Sequence, residues 1–243
     1  MSTFSQWKVV VIVLGVLAVI GMGVAVQQGT LGGGTESISN ILGIKAAPSL
    51  TRSVQYARDL APDVREILEG QIQEQREILT EDVGNYDAWL TLAIRYKQAG
   101  DLNKARDVWE YLASIHPEDV VPRHNLGDLY HHFLNDYPKA EMYYKQALQF
   151  SPTNSFEYLA LHELYRYSYK QDTTAAVDIL EEGIKNVSES QPIDLYIALA
   201  NYYADKGEIA KAIGNYTEAR RLAQDAGNTS LVQQLNAEIA KWQ

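Results

Sequence analysis

The sequence predicts an all-α protein in which about four helical pairs stack in series behind a single membrane-spanning helix. Three observations carry this. Beyond residue 85, small and large apolar residues return in two registers every 34 to 38 residues, and each unit holds two runs of helical period. Near the N-terminus, Val9–Val26 is an unbroken run of eighteen apolar or glycine residues. The composition, 46% hydrophobic with no cysteine in 243 residues, provides for a packed core and excludes disulfides, thiolate metal sites and a cysteine nucleophile.

Taken in order, residues 1–8 form a short tail whose only charged side chain is Lys8. Residues 9–26 follow as the spanning helix. Eighteen residues rise about 27 Å as a helix, close to the thickness of a hydrocarbon core. Trp7 stands where an interfacial aromatic belongs. The next charge after Lys8 is Glu36, so the positive-inside rule places the N-terminus in the cytoplasm and the rest of the chain outside it. A cleaved signal peptide is the competing reading, with Gly23-Val24-Ala25 as the small-residue site, but the run is long for its apolar region. Residues 27–50, with Gly32-Gly33-Gly34, read as a flexible linker. Residues 51–85 read as leading helices: a short one over Thr51–Leu60 and an amphipathic one over Pro62–Leu79, with its apolar stripe at Val64, Ile67, Leu68, Ile72, Ile78 and Leu79.

Residues 86–226 carry the four units. Tyr96, Tyr130, Tyr165 and Tyr203 mark the first register; Ala93, Gly127, His162 and Ala200 stand three residues before them, and Leu92, Leu126, Leu161 and Leu199 one residue earlier still. Ala105, Ala140, Ala176 and Ala212 mark the second register. Trp109, Tyr144, Leu180 and Tyr216 follow four residues later, then Leu112, Ala147, Gly183 and Ala219. The small residues let paired helices approach closely and the large ones fill the space to the next unit. No unit can bury its apolar face alone, so the units must stack. Gly100 and Gly207 mark turns; the second unit has one extra turn residue and the third two. His162, in place of a small residue, must splay its helix pair or be buried with a partner. Residues 227–243 read as a C-terminal capping helix, with Ser230 and Gln233 at capping-box spacing and a stripe of Leu231, Leu235, Ile239 and Trp242.

This pattern resembles the tetratricopeptide repeat. The first unit carries nearly the whole signature, in Trp89, Leu92, Ala93, Tyr96, Gly100, Ala105, Trp109 and Pro117; the third departs most. The resemblance implies a right-handed α–α superhelix whose concave surface is lined by the first helix of each unit. Carried over position by position, that groove comprises Asp87, Leu90, Ile94, Lys97 and Gln98, then Val121, His124, Asp128, His131 and His132. It continues through Phe156, Leu159, Glu163, Arg166 and Tyr167 to Asp194, Ile197, Asn201, Ala204 and Asp205. Leu90 and Ile94 stand where members that clamp a terminal carboxylate carry polar or basic residues, so that clamp is absent.

Chemistry has little purchase elsewhere. The sequence holds no glycine-rich phosphate loop, no HExxH and no GxSxG, and no cofactor is expected. His124, Asp128 and His132, at i, i+4 and i+8 with His131 beside them, are the candidate ligands should a metal bind. Two histidines and one carboxylate without an evident second shell favour a polar groove lining instead. The net charge of −10 excludes nucleic acid as a natural partner. The function expected from the resemblance is a membrane-anchored, non-enzymatic scaffold for protein–protein interaction, in assembly of an envelope or membrane complex. Its partner would be a protein or peptide segment with apolar anchors and some positive charge. The alternatives are a structural subunit of a larger membrane complex and, third, a metal-binding protein built on the His124 cluster.

Overall fold

The computed structural model describes residues 43–171, 173–187 and 192–242. The spanning helix expected at 9–26 lies outside them, as do the tail and most of the linker. Among the described residues there are ten α-helices, two π-helical turns and no strand, and no helix is long and apolar enough to cross a membrane. The chain divides into two compact units between Leu126 and Gly127.

In the first unit, α1 (Pro62–Glu81) begins on a proline, which has no N–H to leave unpaired in a first turn, and buries Leu68, Ile72 and Leu79 along one stripe. Asn85 caps α2 (Tyr86–Ala99), its side chain accepting the Ala88 N–H at 3.0 Å. The helix buries Ala88, Trp89, Leu92, Ala93, Tyr96 and Ala99, then stops at Gly100, whose φ of +89° is left-handed. Asp101 caps α3 (Leu102–Ile115), which buries Ala105, Val108, Trp109 and Leu112. The second helix expected at Thr51–Leu60 is not formed. Residues 44–60 run as an extended strap along this unit, because the Gln55 and Ala57 N–H groups find partners on it, in the Asp101 carboxylate and the Ala99 carbonyl. Residues 45–49, read as linker, also lie against this unit.

From α4, which carries the division between the units, onward, the extra turn residues of the middle repeats have an unexpected destination. α4 (Val120–Asp128) runs into a π-helical turn at Leu129–Phe133, closed by Leu134 N–H to Leu129 O. α6 (Ser155–Glu163) does the same at Leu164–Ser168, closed by Tyr169 N–H to Leu164 O. The insertions therefore widen the last helical turn as well as lengthening the loop. Asn135 and Lys170 then adopt positive φ, of 53° and 63°. The partner helices are α5 (Tyr137–Phe150) and α7 (Ala175–Asn186), and a last pair follows in α8 (Ile193–Asp205) and α9 (Ile209–Asp225). α10 (Thr229–Ala240) covers that pair, seating Leu235 and Ile239 against Ala200, Ala212, Tyr216, Ala219 and Ala223. Its cap is Asn228, which accepts the Leu231 N–H at 3.1 Å; Ser230 lies inside the helix. Trp242 falls beyond the helix end and is exposed, so it is no part of the stripe.

The small positions behave as close packing requires. Ala93, Ala105, Ala140, Ala200 and Ala212 are completely buried. We expect Ala93→Leu and Ala212→Leu each to cost about 1–3 kcal/mol through overpacking. Thermal melting of the two variants checks this, and unchanged melting in both would mean the registers are mis-phased.

Candidate functional site

The groove positions separate into three kinds. Asp87, Val121, Phe156, Glu163 and Asn201 are exposed; Leu90, Ile94, Lys97, His124, Asp128, Leu159, Arg166 and Ile197 are half-buried; His131 is buried. In the first unit Lys97 places its ammonium 5.8 Å from the centre of the Trp109 ring. In the second unit α6 and its π-turn offer Phe156 and Tyr167, 57% and 59% exposed, with Glu163 between them in sequence. Arg166 pairs with Asp205 of α8 and lies over the Tyr167 and Tyr202 rings at 4.8 and 5.6 Å, so its charge is spent inside the protein. Asn201 accepts the Tyr216 hydroxyl. Ile197, expected to face a partner, packs in part against the core beneath α10.

His131 is the main correction. It sits in the first π-turn, 4% exposed, with Nε2 at 2.9 Å from the Ser168 hydroxyl of the second π-turn. It therefore bridges two widened turns and faces no groove. Its Nδ1 is buried without a hydrogen-bond partner. The π-turn also spoils the i, i+4, i+8 alignment of His124, Asp128 and His132, since one extra residue in the turn rotates everything after it. His132 Nε2 reaches Asp128 Oδ1 at 3.5 Å, and among the described residues no three His, Asp or Glu side chains converge as a metal would need. His162 follows the second course open to it, burial with a partner: its Nδ1 lies 2.7 Å from the Ala176 carbonyl.

Two polar centres escaped the sequence reading. Arg123, 8% exposed, donates to the carbonyls of Ala113, His116 and Asp119 and so ties the end of α3 to the start of α4. Glu141 on α5 accepts from the Tyr165 hydroxyl at 2.7 Å and pairs with Lys145 and Lys170, each at 2.7 Å. Burial by itself would raise the Glu141 carboxyl, but those three donors together pull it down to about 2. Tyr165 is raised in turn, by burial and then by the Glu141 bond. Neither centre has a sequence signal, because donors and acceptors lie up to 29 residues apart.

These groups imply acid sensitivity in the second unit. Burial lowers His131, helped by the neighbouring His132, and lowers His162 despite the Ala176 carbonyl. Folded values below the ordinary 6.5 mean that the unfolded chain takes up protons first, so stability falls as pH drops through about 6.5. The Glu141 contribution is present above about 4.5 and disappears as pH falls toward 2. Urea midpoints should therefore decline from pH 7 to 5, less steeply in His131→Gln. Glu141→Gln should flatten the lower limb. Wild-type stability unchanged between pH 7 and 5 would show that the two imidazoles are not held neutral by the fold.

Residues 122–154 match the Tetratricopeptide repeat family, over α4, its π-turn and α5. No curated protein matches the chain. Solved structures that resemble it include two crystal structures of MamA. One has a TM-score of 0.52 and 17% identity over 70% of this chain and 98% of that one. The other has 0.51 and 17% over 69% and 88%. At such identity the likeness is one of fold. With paired helices through the described residues and one of those pairs matched directly, the chain has a helical-repeat fold in which residues 122–154 form a tetratricopeptide-type repeat.

Proposed function

We propose that this chain is a membrane-anchored, non-enzymatic scaffold that holds a partner segment on the first helices of its repeats, stacked as a right-handed superhelix. The observation that carries this is the pair of exposed aromatic side chains on α6 and its π-turn, Phe156 and Tyr167, each leaving more than half its surface to solvent, with the exposed Glu163 between them in sequence. Large aromatic side chains on a rigid helix suit anchor pockets, because they bring area at little entropic cost. Around them the basic Arg166 is already paired, leaving the acidic character of Glu163 and Asp194 to choose the partner. The partner is an extended or helical protein segment with apolar anchors and positive charge. Residues 9–26 hold the scaffold in the membrane, with the repeats outside the cytoplasm, where assembly of an envelope complex takes place.

The test is partner capture by photo-crosslinking in native membranes, with Leu90→Glu and Phe156→Glu variants that circular dichroism shows to be folded. Capture should fall by about tenfold or more in Phe156→Glu, as for loss of a binding anchor. Full capture by both variants places the partner elsewhere. Protease added to intact cells should reach the repeats; protection of the repeats would reverse the topology.

A further inference from the structure

The strap ahead of α1 has its own pattern. Of the nine even-numbered residues from 44 to 60, Ile44, Pro48, Leu50, Val54, Tyr56 and Leu60 are half-buried, Ala46, Arg52 and Arg58 being exposed, while every odd-numbered residue from Gly43 to Asp59 is exposed. That two-residue period belongs to an extended chain with one face turned inward. The strap is fastened near its two ends. At one end the Lys45 N–H donates to Ser114 Oγ at 3.0 Å and the Lys45 ammonium pairs with Glu110. At the other the Gln55 N–H donates to Asp101 Oδ2 at 2.9 Å and the Ala57 N–H to the Ala99 carbonyl at 2.8 Å. Arg76 and Lys104 reach up to the Arg52 carbonyl at 2.8 and 3.1 Å. Gly100 is required beneath it, since a Cβ there would stand 2.7 Å from the Ala57 Cβ.

The middle of the strap is different. Ala46, Pro48 and Ser49 border a half-open pocket of about 260 Å³, lined on its other sides by Trp89, Tyr96 and Val108 and by the polar Arg52, Lys104, Asp107 and Glu110. Over that pocket the strap lacks the dispersion contacts that close packing would give it. A segment secured mainly by polar contacts beside a half-open pocket belongs to the low-stability end of a fold and opens before the helices do.

We propose that Ile44–Ala57 is a latch: it docks in cis on the first unit, opens without unfolding α2 and α3, and sets how far the repeats reach from their anchor. The reach rests on the membrane-anchored reading above. With the latch closed, 18 residues separate Val26 from the first fastened residue, Lys45; with it open, 35 separate Val26 from Pro62. At about 3.4 Å per residue the limits of reach are roughly 60 and 120 Å. Closure also makes the chain leave the unit beside Ser114, at the C-terminal end of α3.

The test uses the full chain with Gln55→Pro and Ala57→Pro together, which removes two of the fastening donors without touching the repeats. Trypsin should cut the variant after Arg52 about tenfold faster than wild type, as loss of two hydrogen bonds implies, while the repeats melt as before. Equal cutting rates would show that the strap is not docked. Hydrogen exchange at Lys45, Gln55 and Ala57 as slow as in α3 would make the strap part of the unit's core, and no latch. In phosphatidylcholine vesicles, energy transfer from a donor on the first unit to a bilayer dye should fall in the variant; unchanged transfer would overturn the control of reach. A chain that fails to float with the vesicles in either form would count against the anchor, and the reach claim would fall with it. Proteolysis would still decide the latch.

Discussion

Gly127→Ala should destabilise the repeats by about 1–3 kcal/mol, although alanine ordinarily favours a helix over glycine by about 1 kcal/mol. A Cβ at this position would stand 2.4, 2.5 and 2.9 Å from Cδ1, Cε1 and Cγ of Tyr144. These are rigid ring atoms, and the ring has nowhere to retreat: Tyr144 is 1% exposed and meets His131 edge-on at 6.3 Å between ring centres. Overpacking therefore outweighs helix propensity. Urea denaturation should show a lower midpoint with an unchanged slope. Tyr144→Leu in the same chain should recover part of the loss, because the double change removes the collision and a double-mutant cycle isolates it. A Gly127→Ala protein as stable as its parent would mean that α4 and α5 do not approach as closely as the geometry shows.

Arg123→Met should be the costliest polar replacement in the first unit, at about 2–3 kcal/mol. The guanidinium donates to Asp119 O at 2.7 Å, Ala113 O at 3.2 Å and, more weakly, His116 O at 3.4 Å. Two of these carbonyls belong to the end of α3 and its cap, where no further helical N–H arrives and the helix dipole is negative. Methionine keeps the stem and loses every donor. Arg123→Lys should restore less than half of the loss, since an ammonium cannot fork between Asp119 and Ala113. Thermal melting of the three proteins measures this, and full restoration by lysine would assign the effect to charge alone.

The residues behind these two expectations were unequally visible in the sequence. Gly127 is legible: it stands three residues before Tyr130, in the place that Ala93 and Ala200 fill in other units, and its partner Tyr144 stands in the register of Trp109. Arg123 is not, because a side chain that ties carbonyls of a preceding turn leaves no periodic trace. The family resemblance implies that Phe156 and Glu163 line the groove from one helix, and the fold keeps both exposed. The same resemblance implies a groove position for His131, which is buried instead, since it lies in the π-turn. The strap left too weak a signal: Ile44, Pro48, Leu50, Val54 and Tyr56 share one parity, but Ala46 and Arg52 interrupt it, so the sequence reads as linker and short helix.

By itself the sequence determined what depends on short-range periodicity: the ten helices found among the described residues, their small and large packing positions, and turns at Gly100 and Gly207 that need positive φ. These follow from side chains three or four residues apart on one helix, and every copy of the repeat restates them. Only the tertiary structure decided the extended strap, the two π-turns, the His131–Ser168 bridge and the hubs at Arg123 and Glu141. In each of these a polar group chooses among acceptors or donors brought close by folding, as when the Gln55 N–H takes the Asp101 carboxylate 46 residues away in preference to a helical carbonyl. Buried or half-buried polar groups must be paired somewhere, and the chain bends its local preferences to pair them.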